Sequence, residues 1–426
     1  MQGLMAARAC FEHNRDCILL EKSQGVGGIL RPVIFDSTPV DAGCHIWGNG
    51  EASNINFIEK DLGIPMIPVH GHCELSISVD DVARRRLSVP SFESLEDAVR
   101  DEVIHHASTG DVSMITEESI GDSYPRLFGS NVGHTLLSIA ERMYGRDPSD
   151  LSFSAANQMA LSRIKMHRCS ELEGPAQSNR KLGRLLCSVP LTAKSDDHVK
   201  FRYPSTGLQG LVTSCESWLT SHLQALLLGT APRCLTLHPS NEGGVAETTK
   251  EAIEFKRLLW CCNPLELSSL LNFELPPKIS TAGSPYRSFF FRTQCEDLGV
   301  EYAHDFRLDS LIFRSWVPPI EMTSPSDTHR WVIVECPGVK DTQDSVRRIH
   351  EEICAWHSID GDKLEYVGSK AQVRFFPTVT YSTWLGHLAK NIELSNQSIL
   401  IPPTPLYGKD MITEWWADAA KCPPTQ

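Results

Sequence analysis

Apolar positions fall in short blocks whose period switches between helix and strand along the chain. Residues 3–10 are small and apolar, without Pro or a β-branched side chain, and predict a helix. Cys17-Ile18-Leu19-Leu20 is a continuous apolar run ended by Glu21, which predicts a short buried strand. Gln24–Gly28 is too rich in glycine for a helix. Weak alternation around Ile29, Val33, Phe35 and Val40 suits a hairpin over 29–42. Ile55, Phe57, Ile58 and Leu62 then recur at helical spacing up to Gly63 and Pro65, so a short helix over 51–63 is expected.

Further on, Ser91–Glu102 opens on a Ser with acids close behind and predicts a capped helix. Leu136, Leu137, Ile139, Ala140 and Met143 predict another, punctuated by Gly145. Residues 171–200 are polar and read as an exposed excursion or a domain boundary. Residues 201–211 read as a strand end, a turn and a helix start, and the helix runs on through Trp218 to Leu223. A strand-rich segment over 226–265 ends in Leu258–Cys262, stopped by Asn263-Pro264, with a helix at Leu265–Leu271. Phe289–Arg292, Ser310–Val317, Trp331–Val334 and Gln372–Phe376 are strand-like, and Val346, Ile349, Ile353 and Trp356 share one face of a helix over 345–356. The interleaving of these elements predicts an α/β fold of two domains that the chain crosses between more than once.

A helix feeding a strand that ends in an acid, with a glycine pair behind it, is the second half of a dinucleotide-binding βαβ unit. There the acid meets a ribose hydroxyl. Such a unit opens with a strand and a Gly-x-Gly-x-x-Gly turn. Here Met1 falls at about the last of those glycines, so Gly3 reads as its remnant and the first strand as missing, or as lying upstream of the sequence given.

Composition narrows the function classes. The chain has 426 residues, 41% hydrophobic and 22% charged, which is ordinary for a globular protein with a large core. A formal net charge of −13 argues against nucleic-acid binding, which needs clustered Lys and Arg. Arg84-Arg85-Arg86 is the densest basic run, and it reads as a solvated face. Fourteen cysteines occur without any C-x-x-C pair, so zinc and iron–sulfur sites are not indicated and the thiols read as reduced, buried and cytoplasmic. No apolar run approaches the roughly 20 residues of a membrane span, and the N-terminus carries no secretory signal pattern. His70-Gly71-His72 lacks further metal ligands, no Gly-x-Ser-x-Gly elbow or phosphate loop is present, and Trp331 and Trp415-Trp416 read as core or interface aromatics.

Five segments in order then carry a resemblance. They are Leu19-Leu20-Glu21-Lys22 with Gly27-Gly28; Asp41-Ala42-Gly43-Cys44-His45-Ile46-Trp47; Tyr203-Pro204-Ser205-Thr206-Gly207 through Leu211; Trp260-Cys261-Cys262-Asn263-Pro264; and Leu406-Tyr407-Gly408-Lys409-Asp410-Met411. Together they resemble the flavoprotein superfamily of amine oxidases, protoporphyrinogen oxidase, phytoene desaturase and UDP-galactopyranose mutase. The resemblance implies a Rossmann-like FAD-binding domain from 1–74, 201–264 and 375–426, with its first strand missing. It implies a substrate domain of antiparallel sheet plus helices from 75–200 and 265–374. It also implies FAD contacts from Gly3, Glu21, Lys22, Gly27, Gly28, Gly43, Gly408, Asp410 and Met411, with His45 facing the flavin as the catalytic candidate. A helix from Ile412 would point its positive end at the flavin.

The implied activity is hydride transfer from a small organic substrate to FAD. Mutase-like chemistry on a nucleotide sugar is the alternative, for which Arg287, Arg292, Arg307, Arg314 and Arg374 are available. A third reading is a non-catalytic protein of the same fold whose FAD binding is impaired by the absent strand. Substrate specificity and oligomeric state are not encoded in any recognised segment.

Overall fold

A computed structural model describes residues 2–48, 52–69, 118–156, 201–238, 243–275, 283–295, 301–319, 329–395 and 398–402, with short pieces at 98, 101–103, 105–106 and 298. The segment 3–10 lies in helix α1 (Gln2–Glu12), which buries Leu4, Met5, Ala6, Ala7 and Ala9. Strand β1 (Ile18–Glu21) follows and pairs in parallel with β6 (Ala225–Leu228). The expected burial of β1 is only half realised: Ile18 is 36% exposed, because among the described residues β6 is its one neighbour. The hairpin β2 (Val33–Phe35) and β3 (Thr38–Val40), the helix α2 (Ala52–Asn56) and β4 (Met66–Val69) follow. Helix α2 runs on as a π-helical turn over Phe57–Asp61, so the expected helix is present with a widened second half.

Helix α3 (Ile120–Tyr144) starts from Ser119, whose hydroxyl accepts from Asp122 N, and ends on Gly145 in the left-handed region. It is broken at Gly129 (φ 79°), where Glu102 caps the second half by accepting from Ser130 N at 2.6 Å. Otherwise the capped helix expected at Ser91–Glu102 lies largely outside the described residues, as do residues 171–200, His70-Gly71-His72 and everything beyond 402. Strand β5 (Phe201–Pro204) pairs with β4 and leads into α4 (Gly207–His222). The strand-rich segment resolves into the meander β7 (Pro232–Leu237), β8 (Gly244–Thr248) and β9 (Ala252–Phe255) and the short β10 (Leu258–Leu259). Asn263 then caps α5 (Pro264–Leu270).

The remainder builds a five-stranded antiparallel sheet in the order β12-β13-β14-β11-β15, from β11 (Gly283–Thr293), β12 (Tyr302–His304), β13 (Arg314–Trp316), β14 (Arg330–Pro337) and β15 (Leu364–Phe375). Helix α6 (Gln343–His357) connects β14 to β15. Helix α7 (Val379–Ser395) then leads to β16 (Ile399–Leu400), which pairs in parallel with β10. Among the described residues no helix is long and apolar enough to cross a membrane.

Because strand side chains alternate, this sheet has two different faces. Phe289, Phe291, Val332, Val334 and Cys336 point to one side and pack with Ile349 and Ile353 of α6. Phe290, Trp316, Trp331 and Ile333 point to the other and share a core with α1, α4 and the 40–47 segment. That second face is apolar at one end only. At the other it carries Tyr286, Ser288, Arg314, Glu335, Gln372 and Arg374. Phe290 closes the apolar end, with its ring centroid 5.0 Å from that of Phe35. Truncation of this fully buried ring in Phe290→Ala is expected to cost about 3–5 kcal/mol in denaturant unfolding. A loss below about 1 kcal/mol would contradict this packing.

Candidate functional site

The polar end of the sheet meets the segment Asp41–Trp47 through hydrogen bonds between distant parts of the chain. Ser288 Oγ and Gln372 Nε2 both donate to Ala42 O, each at 3.0 Å. Cys44 N donates to Glu335 Oε1 at 3.2 Å. Gly43 is required here by space, since a Cβ would sit 2.4 Å from Glu335 Oε1. Trp47 and Arg202 exchange backbone hydrogen bonds of 3.0 and 2.8 Å, tying the far end of the segment to β5.

Glu335 is almost fully buried and holds four donors. Oε1 accepts from Cys44 N and, at 3.1 Å, from Arg374; Oε2 accepts from Arg314 Nε and, at 2.8 Å, from Tyr286 OH. The Arg374 guanidinium also lies 4.0 Å over the Tyr286 ring. Burial alone would raise the Glu335 carboxyl, but the charges of Arg314 and Arg374 and the hydrogen bonds from Arg314 and Tyr286 outweigh it and hold it far below the usual carboxylate range. Two guanidiniums, of Arg314 and Arg374, meet on this one carboxylate.

Asp41 is the second buried carboxylate. Its Oδ2 accepts from Tyr203 OH and, at 3.1 Å, from Trp316 Nε1, while Leu208 N at the start of α4 donates to Tyr203 OH at 3.1 Å. Among the described residues no cation is paired with it, and burial raises its pKa to about 6 against the lowering effect of those hydrogen bonds. Asp41 therefore ties the segment to α4 and to the sheet at once. His45, half-buried, follows one residue after the amide held by Glu335.

The nucleotide-type residues lie at the other side of the same core. Glu21 ends β1, and its Oε1 accepts from Ser23 N at 2.8 Å. The turns after β1 and β6 are joined by Gly229 N to Ser23 O and Thr230 N to Glu21 O, at 2.8 and 3.0 Å. The two glycines of the pair differ in what they do. Gly27 (φ 110°) is a packing glycine, since a Cβ there would fall 2.9 Å from Val212 of α4. Gly28 (φ 52°) has no described atom within 4 Å of where a Cβ would be, so its backbone is open to close approach.

Gly3 lies in the first turn of α1, where a Cβ would fall 3.4 Å from Leu19 Cδ1. Lys22 is exposed and ion-paired to Glu266 of α5 at 2.8 Å. Gly408, Asp410 and Met411 lie outside the described residues. The structure thus brings Gly43 and His45 to the sheet and Gly3, Glu21, Gly27 and Gly28 to the β1 end. Of the five arginines, only Arg314 and Arg374 reach the site; Arg287 binds Ser369, Arg292 binds Glu365, and Arg307 binds Asp305 and Glu352. Among the described residues no group of three metal-ligating side chains occurs.

Glu335 and Tyr286 were not singled out by sequence, and Tyr203 was named only as the first residue of its turn segment. The signal for Glu335 was present: an acid in the apolar run Trp331–Cys336 has to be either exposed or paired.

No protein-family model matches the chain, and no curated protein sequence does. Solved structures match over nearly its whole length. A protein from Exiguobacterium sp. 255-15, provisionally described as a protoporphyrinogen oxidase, aligns over 99% of this chain and 96% of its own, with a TM-score of 0.60 and 12% identity. A reduced UDP-galactopyranose mutase aligns over 98% and 91% (TM-score 0.63, 12% identity). Wild-type putrescine oxidase bound to putrescine aligns over 98% and 96% (TM-score 0.64, 12% identity). The chain shares the fold of these oxidases and of the mutase. At this identity the likeness establishes the fold and leaves the chemistry to the residues.

Two predictions follow from the buried carboxylates. Glu335→Gln leaves the buried Arg314 without its counter-charge and is expected to destabilise the protein by about 3–5 kcal/mol in denaturant unfolding; an unchanged midpoint would contradict the ion cluster. The Asp41 carboxyl has a folded pKa raised from 3.8 to about 6, so its stabilising contribution is complete below about pH 4 and is lost as pH rises through about 6. The difference in stability between wild type and Asp41→Asn is expected to shift by on the order of 3 kcal/mol over that window. Parallel pH–stability curves for the two proteins would refute this. Glu335 acts in a separate window, since a lowered carboxylate loses its stabilisation only as pH falls below about 4.5.

Proposed function

We propose that this protein binds FAD and oxidises a small organic molecule by hydride transfer to it. The reading is carried by the carboxyl end of the parallel pair β1–β6, where the Ser23 amide orients the half-exposed Glu21 carboxylate and the Gly28 backbone lies open at positive φ. Ligands of open α/β sheets lie at the carboxyl ends of their strands, and these residues fit the adenosine half of a dinucleotide. Glu21 would accept hydrogen bonds from the ribose hydroxyls. Gly28 would give close backbone approach, with Gly27 holding the loop on α4. Gly3 would sit by the positive end of α1, near the diphosphate. Lys22 and its partner Glu266 would flank the adenosine side, and Gly408, Asp410 and Met411 would supply the turn on the flavin side.

FAD, when bound, supplies the electron-pair acceptor. The protein's part is to position and to control protons. Glu335 holds the Cys44 amide, and Tyr203 and Trp316 hold Asp41, so that in this reading Gly43 and Cys44 present His45 in a constant orientation. In this reading His45 faces the reacting end of the cofactor and holds or releases a proton there. The segments 1–74, 201–264 and 375–426 would form the cofactor domain, and 75–200 with 265–374 the substrate domain.

The placement of Arg314 and Arg374 beside Tyr286 at the site supports a second reading, mutase-like chemistry on a nucleotide sugar whose phosphates are anionic.

The test is the visible spectrum and FAD affinity of the purified protein. Flavin absorption bands on purification or after added FAD are expected, and Glu21→Ala should weaken FAD binding roughly tenfold or more by removing a charged hydrogen-bond acceptor. His45→Ala should keep FAD and lose turnover. Net reduction of the flavin by substrate marks the oxidoreductase, whereas a need for pre-reduced flavin without net oxidation marks the mutase. A folded, colourless protein that takes up no FAD would overturn both readings and leave the non-catalytic one.

A further inference from the structure

One hydroxyl lies between the two ends of the candidate site. Tyr203, fully buried in β5, accepts from Leu208 N at 3.1 Å and donates to Asp41 Oδ2. With Asp41 ionised both directions are fixed, since an amide only donates and a phenol has one proton. Thr206, the residue before α4, makes no side-chain cap, so this hydroxyl serves one of the amides that begin the helix. The same carboxylate oxygen takes Trp316 Nε1 at 3.1 Å, and the Tyr203 and Trp316 ring centroids are 5.2 Å apart. The preceding residue completes the arrangement, because Arg202 exchanges two backbone hydrogen bonds with Trp47. Two consecutive residues of β5 thus hold both ends of the segment 41–47, with His45 between them.

Helix α4 connects this point to the glycine loop. Leu208 and Val212 lie one turn apart on the same face of the helix, and both are buried. Val212 is the side chain that Gly27 rests on: a Cβ at Gly27 would fall 2.9 Å from Val212 Cγ2 and 3.0 Å from Cγ1. The loop therefore has no slack against α4, and a close-packed interior passes displacement on. Leu208, Leu211 and Leu219 share one core with Trp47, Tyr203 and Trp316, so helix and segment are packed as a unit.

We propose that the Tyr203 hydroxyl is the joint through which occupancy of the adenosine end of the site is felt at His45. A nucleoside diphosphate seated on the Gly27-Gly28 loop sets α4, α4 sets Tyr203 and Asp41, and Asp41 sets the segment that carries His45. The inference rests on the reading of the β1 end as the adenosine site and of His45 as facing the reacting end. Tyr203 acts through Asp41 and is a positioning residue. The coupling is reciprocal, so protonation of His45 alters nucleotide affinity by the same factor.

The test uses the full chain with isotopically labelled histidine and ADP as the probe. ADP carries the adenosine and diphosphate of the dinucleotide but no flavin ring, so an effect at His45 arrives through the protein. The His45 NMR signal is identified by its loss in His45→Gln. ADP is expected to move that signal and shift its titration midpoint by roughly 0.3 pH unit or more, while His350 on α6 stays unmoved. Tyr203→Phe, which keeps the ring, should bind ADP within about threefold of wild type and lose the His45 response. Asp41→Asn keeps an acceptor for Tyr203 and Trp316 and should keep the response, whereas Asp41→Ala should lose it. A role in stability alone would move the unfolding midpoints of these variants and leave the response of the folded proteins intact. Circular dichroism reports folding, and if Tyr203→Phe does not fold the two Asp41 variants decide. ADP bound with His45 silent in the unaltered chain, or a response retained in Tyr203→Phe or Asp41→Ala, would overturn this inference alone. A chain that binds neither ADP nor FAD overturns the cofactor reading, and the inference with it.

Discussion

One buried carboxylate organises the centre of this molecule. Glu335 sits in the middle of a sheet, almost out of reach of water, and is tolerable there only because four donors meet it. An uncompensated charge at that depth would cost several kcal/mol. The requirement acts in both directions. The strands β11, β13, β14 and β15 must be in register for Tyr286, Arg314 and Arg374 to reach Glu335, and the 41–47 segment must lie against the sheet for the Cys44 amide to reach it. A single ionised group thus couples sheet register to the placement of a loop 291 residues away in sequence.

Asp41 performs the complementary task with no counter-ion among the described residues. Its hydrogen bonds from Tyr203 and Trp316 orient it, yet burial raises its pKa, so Asp41 and the Glu335 that holds the Cys44 amide respond oppositely to acid. That contrast follows from their partners: guanidiniums for Glu335, neutral donors for Asp41. It holds the backbone around Gly43 and His45 between two anchors of different chemistry.

The β1 region shows how similar residues are used differently. Gly27 and Gly28 look equivalent in sequence, but Gly27 is demanded by Val212 behind it, whereas Gly28 is favoured by its positive φ and has open space in front. Gly43 is a third case, demanded by the Glu335 carboxylate. Only Gly28 has the surroundings of a ligand-facing position, so the glycine pair is one part packing and one part access. Lys22, adjacent to the acid that ends β1, is engaged with Glu266 and helps to join α5 to that edge.

Local pattern made much of the fold legible. The apolar block at 3–10, the run 17–20 closed by Glu21, the helical spacing of Val346, Ile349, Ile353 and Trp356, and the Asn263-Pro264 stop each predict an element that is present, because backbone propensity and period are properties of neighbours in sequence. The ordered motifs likewise pointed to the amine oxidase-like fold. What they left out is the site's polar core. Glu335 pairs with residues 21 and 39 positions away, and Asp41 with residues 162 and 275 away. No local period encodes those distances. The sequence by itself determined the elements, their order and the acid–glycine segment. The tertiary structure alone decided that Arg314 and Arg374 serve Glu335 while Arg287, Arg292 and Arg307 do not, and that Gly28 rather than Gly27 lies open. Both outcomes depend on which side chains the sheet brings within about 3 Å of each other, where hydrogen bonding and desolvation are settled.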